Sequence, residues 1–230
     1  MKKYRILSVF MLAAALAFSG CLQKNPTQSD AIPQFPTIVN FQGPASQNVP
    51  AELQGYVDIL NAQTSAAFSY LTLARLQTPK TDGNTTTWTI TSGQLTVTIT
   101  AVKDGDSADW TFELNGTDQN QNTYDHLKLM SGTSSMDGKS GTMHIFDESS
   151  KEAALFEWLE ENTGKKDATI TIYGSPDSKY ELVNNPDHSG SVDAFEGSVK
   201  IYHAVWNSNG AGSWEKYDAS GTVADSGSWN

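Results

Sequence analysis

The stretch Thr85-Thr86-Thr87-Trp88-Thr89-Ile90-Thr91-Ser92-Gly93-Gln94-Leu95-Thr96-Val97-Thr98-Ile99-Thr100 alternates bulky apolar residues with threonine, and Ser92-Gly93 interrupts it once. Successive strand side chains point to opposite sides, so this period of two marks strands buried on one face. The habit continues through Trp110/Phe112/Leu114, Leu127/Leu129, Met143/Ile145, Ile170/Ile172, Tyr180/Leu182 and Val199/Ile201/Val205. Turn formers separate the runs, among them Asp104-Gly105-Asp106, Asn115-Gly116, Asp137-Gly138, Asn185-Pro186-Asp187, Asn209-Gly210 and Ser220-Gly221. The fold class that follows is mainly β: an antiparallel up-and-down meander of about ten to twelve strands, curled or closed as a barrel, with one N-terminal amphipathic helix.

That helix is expected from Ala51 to Gln77. Leu53, Val57, Leu60, Ala67, Leu71 and Ala74 recur at three-and-four spacing, and Tyr56, Ile59, Phe68 and Leu76 widen the stripe. Thr78-Pro79 stops it, and Gly55 and Asn61–Ser65 are weak points at which two shorter helices are an alternative. A second segment reads two ways. Ser149-Ser150-Lys151-Glu152 has the form of a capping box ahead of a helix over 153–161, whereas Ala154, Phe156 and Trp158 at alternate positions describe a strand. The meander context and the hairpin-length spacing to the next strand favour the strand.

The chain has 230 residues, 15 Lys+Arg against 26 Asp+Glu, and one cysteine. Its net charge of -11 excludes a nucleic-acid binder, which needs clustered cations, and a lone cysteine excludes a disulfide framework. That cysteine has a context. Met1-Lys2-Lys3-Tyr4-Arg5 is a positive start, Ile6 to Phe18 is apolar apart from Ser8, and Phe18-Ser19-Gly20-Cys21 closes the run. About 13 apolar residues are too few to span a bilayer and suit a secretory signal peptide.

Phe18-Ser19-Gly20-Cys21 resembles the lipobox of bacterial lipoproteins, with Phe18 in place of the aliphatic residue that family prefers. The resemblance implies cleavage before Cys21, diacylglyceryl and acyl groups on Cys21 as the sole non-protein group, and a lipid bilayer as partner. Leu22, where an inner-membrane protein of this class often carries Asp, implies the outer membrane if the source is Gram-negative. The expected organisation is a signal peptide over 1–20, a polar, Pro-rich lipidated tether over 21–50, and a helix-plus-meander domain over 51–230. Within the tether, Ile38, Val39 and Phe41 are the residues able to dock on the domain. Without Lys2, Lys3 and Arg5, 12 positive side chains remain against 26 negative, so the acidity belongs to the exported part.

Reactive constellations are sparse. His126, His144, His188 and His203 form no metal-ligand spacing, and Gly190-Ser191 and Gly212-Ser213 lie in hairpin turns rather than in a nucleophile elbow. Asp104, Asp106 and Asp109 read as a hairpin tip, not a calcium loop. No catalytic residue and no metal ligand is therefore assigned, and the reading is a non-enzymatic envelope protein. Six Trp and eight Tyr are the suggestive feature, since such rings stack on sugars or line apolar pockets. Trp206, Trp214 and Tyr217 around one expected hairpin, with His203 on the Val199/Ile201/Val205 face, are the candidate ligand-binding residues. The candidate partners are an apolar ligand, a glycan or an envelope protein. Carriage of a lipid in a sheet-and-helix cavity, as in the lipoprotein-carrier shell that this element order resembles, and a surface adhesive role are the alternatives.

Overall fold

A computed structural model describes residues 32–37, 41–46 and 48–230. Among the described residues there is one helix, α1 (Ala51–Ala74), followed by β1 (Lys80–Asp82), β2 (Thr85–Ser92), β3 (Leu95–Asp104), β4 (Ser107–Thr117), β5 (Thr123–Ser135), β6 (Ser140–Phe146) and β7 (Glu152–Glu160). The chain goes on through β8 (Lys166–Ile172), β9 (Ser178–Asn184), β10 (Gly190–Glu196), β11 (Val199–Trp206), β12 (Gly212–Tyr217) and β13 (Val223–Trp229). The protein is mainly β, with 13 antiparallel strands in sequence order in one sheet whose ends are β1 and β13. The sheet is not closed, which removes the barrel alternative. The disputed segment 153–161 is the strand β7, with Ala154, Phe156 and Trp158 buried.

The chain divides into two compact units, the break falling after Thr64 within α1 and after Ala153 within β7. In the first, Ser65–Ala153 with residues 32–37, the register Trp88↔Ile99↔Phe112↔Met130↔Ile145 sets one apolar row across five strands. All five are buried, as are Phe68, Leu71 and Ala74 of α1. Each large side chain so placed contributes about 1.5–3 kcal/mol. Trp110 lies in the next row, opposite Gly132, and its indole Nε1 donates to the buried Ser134 Oγ at 2.9 Å. A Cβ on Gly132 would stand 2.0 Å from the Thr142 carbonyl oxygen, so only glycine fits there.

In the second unit, residues 38–64 with Ala154–Asn230, the inward rows are Phe156↔Ile170↔Tyr180↔Ala194↔Tyr202↔Lys216 and Trp158↔Ala168↔Leu182↔Val192↔Ala204↔Trp214. Leu53, Val57 and Leu60 of α1 are buried in the same unit. Here one expectation is overturned. The inward face of β11 is Tyr202/Ala204/Trp206, while Val205 is exposed. The cause is a bulge: Ala194 pairs with Tyr202 but Phe195 with Lys200, so Ile201 has no opposite number. One extra residue exchanges the two faces of a strand.

The described part of 21–50, expected as tether, is held against the units. Phe41 exchanges two 2.9 Å hydrogen bonds with the Asn61 side chain, its N–H donating to Oδ1 and its carbonyl accepting from Nδ2. Gln42 is clasped in the same way by Asn184 at 3.0 Å. Pro33, Pro36, Phe41 and Pro44 are buried. Ile38 and Val39 lie outside the described residues, as do residues 1–31.

One turn is used six times. In the loops opening at Asp118, Asp147, Glu161, Asn185, Asn207 and Asp218, the first residue's N–H donates to the fifth residue's carbonyl and the fourth's N–H to the first's carbonyl. The fourth residue always has positive φ: Gln121, Ser150, Gly164, His188, Gly210 and Gly221. In three of the loops an aspartate Oδ1 also accepts the third and fifth amides, at 2.8 Å and 2.8 Å for Asp118. In those three loops the opening aspartate thus satisfies backbone donors that the ladder leaves over.

Candidate functional site

The repeated Gly-Ser hairpins of the C-terminal third have a packing origin. Trp206 on β11 lies over Gly190 on β10, where an added Cβ would stand 2.4 Å from its ring. Trp229 on β13 lies over Gly212 on β12 at 2.4 Å, and Trp214 on β12 over Gly227 at 2.9 Å. The outer two indoles also close the preceding hairpins: Trp206 Nε1 donates to the His188 carbonyl at 2.9 Å, and Trp229 Nε1 to the Gly210 carbonyl at 2.6 Å. Trp206 is only 4% exposed. It is an anchor of the sheet, covering glycine with an aromatic ring.

Trp214 is half-buried and belongs to a different group. Its ring is stacked on Tyr202 at 6.4 Å and 7°, and Lys216 Nζ stands 5.2 Å from its centroid. Tyr202 meets Tyr56 of α1 at 5.0 Å, and Tyr56 meets Tyr180 of β9 at 5.7 Å. Glu52, one helical turn before Tyr56, accepts from the Tyr56 hydroxyl at 3.4 Å and pairs with Lys216 at 2.5 Å. Trp214, Tyr202, Tyr56 and the Glu52–Lys216 ion pair close a circuit of three aromatic rings, to which Tyr180 is attached through Tyr56. Burial, with the Glu52 charge second, pushes the Tyr56 phenol up to about 12, and burial raises Tyr202 further still. Both stay protonated at neutral pH, so they stack as neutral phenols, and Tyr56 alone of the two donates a hydrogen bond, to Glu52. The Tyr202 hydroxyl is buried without a hydrogen-bond partner, an arrangement that costs about 1–3 kcal/mol.

His203 and Tyr217 face the other way. The register Glu181↔Asp193↔His203↔Glu215 lays a polar row across the opposite face of β9–β12. His203 Nδ1 lies 2.8 Å from Asp193 Oδ1, and Lys200 Nζ approaches the same oxygen at 2.6 Å. The Tyr217 hydroxyl donates to Glu215 Oε2, and that hydrogen bond, ahead of burial, pushes the phenol up to about 12. Asp193 thus joins His203 and Lys200 in one ion-pair network on this face. Such half-exposed pairs are worth about 0–1 kcal/mol.

The four candidate ligand-binding residues, of which Trp206, Trp214 and Tyr217 were expected around one hairpin, are therefore divided. Trp206 is structural, Trp214 joins the tyrosine circuit, and His203 and Tyr217 lie on the other face with Asp193 and Glu215. Cys21 lies outside the described residues. Glu52, Tyr56, Tyr180, Tyr202 and Lys216 were missed as site residues, although Tyr56 and Tyr180 carried a signal as tyrosines on apolar stripes. Asp104, Asp106 and Asp109 lie along the β3–β4 hairpin, whose turn is made by Gly105 at φ 58°. Among the described residues no group of three or more His, Cys, Asp and Glu side chains is arranged to hold a metal ion, and no helix is long and apolar enough to cross a membrane. No known family and no curated protein matches the chain in sequence.

Proposed function

We propose that this chain is a lipid-anchored protein of the bacterial cell envelope, non-enzymatic, whose β-rich part binds a ligand or partner through the tyrosine circuit around Trp214. The observation that carries the reading is the sole cysteine, Cys21, placed after a basic start, an apolar run and Ser19-Gly20. Two acyl chains, at about 0.8 kcal/mol per buried methylene, suffice for stable anchoring. For the binding role, support comes from Trp214, Tyr56 and Tyr180, which remain half-accessible beside a Glu52–Lys216 pair. Flat rings with hydroxyl donors and one charge of each sign suit a sugar ring, which presents an apolar face edged by hydroxyls.

Two measurements test the two parts separately. Radiolabelled palmitate should enter the wild-type chain and not Cys21→Ala; label retained in the variant refutes the anchor. Glycan-array binding by residues 22–230 should be lost in Trp214→Ala and kept in His203→Ala. Equal loss in both variants places the contact elsewhere.

A further inference from the structure

Residues 33–37 make a contact in the first unit that has the form of a bound peptide. The Phe35 ring lies 4.7 Å from Trp88 and 5.7 Å from Trp110, two indoles themselves stacked at 5.8 Å and 21°. The Arg75 guanidinium, just beyond α1, stands 5.8 Å from the Phe35 centroid. On the rim, Gln34 N–H donates to the Met136 carbonyl and Thr37 N–H to the Gly138 carbonyl, both at 2.9 Å. The fit depends on glycine. Gly138 has φ 71°, and a Cβ there would stand 2.4 Å from the Phe35 carbonyl oxygen.

The occupant is pre-organised by its sequence. Pro33 and Pro36 have φ locked, and each biases the residue before it, Ile32 and Phe35, away from helix. Such a segment loses little conformational freedom on docking. Its described residues make no regular secondary structure, the two backbone bonds described both run to the β5–β6 hairpin, and Phe35 keeps partial exposure while Trp88 and Trp110 are almost fully covered. An aromatic anchor, a cation over its ring and two main-chain bonds form a receptor–ligand set rather than a ladder.

We propose that Pro33–Thr37 is a releasable latch, and that the groove of Trp88, Trp110, Arg75 and the β5–β6 hairpin is a peptide-binding site for an extended segment with an aromatic residue before a proline. In this chain the site is filled in cis. The proposal is independent of the lipid anchor and of the tyrosine circuit.

The test uses the full-length protein and a capped heptapeptide of residues 31–37. In the wild type, the Gln34 and Thr37 amides should exchange hydrogen about tenfold or more faster than ladder amides such as those of Ile99 and Phe112, because a latch opens locally. Full-length Phe35→Ala, its site vacated, should bind the peptide saturably with a shift in tryptophan emission. The same peptide with Ala for Phe should do nothing. Exchange of both amides at the ladder rate overturns the proposal, as does a folded Phe35→Ala protein that ignores the peptide up to about 1 mM. Should Phe35→Ala fail to fold, the exchange result on the wild type decides alone.

Discussion

Gly190→Ala isolates the packing that orders the C-terminal strands. A methyl group at this position would stand 2.4 Å from the Val183 carbonyl oxygen and 2.4 Å from Cζ2 of Trp206. Neither can move freely. Val183 belongs to the β9–β10 ladder opposite Ser191, and Trp206 is pinned by its 2.9 Å hydrogen bond to His188. Overpacking of this kind costs about 1–3 kcal/mol, and contact with backbone on one side and a tied ring on the other places this case near about 3 kcal/mol. Backbone entropy acts in the opposite direction, since replacing a strand glycine with alanine otherwise gains about 0.5–1 kcal/mol. The net expectation is a loss of about 2 kcal/mol. With a urea slope of about 2 kcal/mol/M, the unfolding midpoint falls by about 1 M, read by tryptophan fluorescence and far-UV circular dichroism together. Trp206→Leu in the same background should recover part of the loss by removing one of the two clashes, a coupling that a double-mutant cycle measures. An unchanged or raised midpoint in Gly190→Ala would refute the claim that the indole lies on this glycine.

Gly55→Ala should move the midpoint the other way. Nothing lies within 4 Å of its added Cβ, and the helix gains about 0.8–1 kcal/mol of propensity; a loss in the same urea titration would count against α1 as described. Tyr202→Phe should leave stability unchanged or slightly higher, since it removes a buried hydroxyl with no partner, and a loss above about 1 kcal/mol would show that the hydroxyl is bonded. The Asp118 carboxyl is held low chiefly by the Asn122 side chain, Asp187 by the Ser189 hydroxyl and Asp218 by the Ser220 hydroxyl. Depressed folded-state pKa values mean that this stabilisation is present above the unfolded value of about 3.9 and disappears as pH falls below it. The thermal midpoint should therefore drop below about pH 4, and less steeply in Asp118→Asn; parallel acid limbs would exclude Asp118 as a contributor.

The strands were legible where alternation was unbroken. Trp88/Ile90, Val97/Ile99 and Trp110/Phe112/Leu114 all point inward, as do Phe156 and Trp158, because a period of two survives any choice of partner strand. On β11 the rule failed for a local reason. Val199-Lys200-Ile201-Tyr202-His203-Ala204-Val205-Trp206 has apolar residues in both phases, and the bulge at Ile201 selects between them only once β10 is in place. The site inherits the error: His203 shares the exposed face with Val205, and Tyr202 is the residue that β11 buries. Docking of Phe41 was legible from its apolar ring, whereas that of 33–37 and 42–46 was hidden by composition, since Pro, Gln and Ser describe a tether equally well. What orders them lies far away in sequence, in Asn61, Asn184 and Trp110, and no local pattern reports contacts across such separations.

Docking of 33–37 also sets a length. If Cys21 is held in lipid as proposed, 11 residues, 22–32, separate the anchor from the docked segment, against 19, 22–40, with 33–37 released and Phe41 still bound. At a maximum of about 3.6 Å per residue, the docked part of the chain can stand no more than about 40 Å from its anchor rather than about 70 Å. The volume open to it falls with the cube of that radius, roughly fivefold. Its effective concentration toward neighbours on the same membrane rises by about the same factor. Lifting Phe35 from between Arg75 and the two indoles would dilute the domain again without altering its affinity for anything.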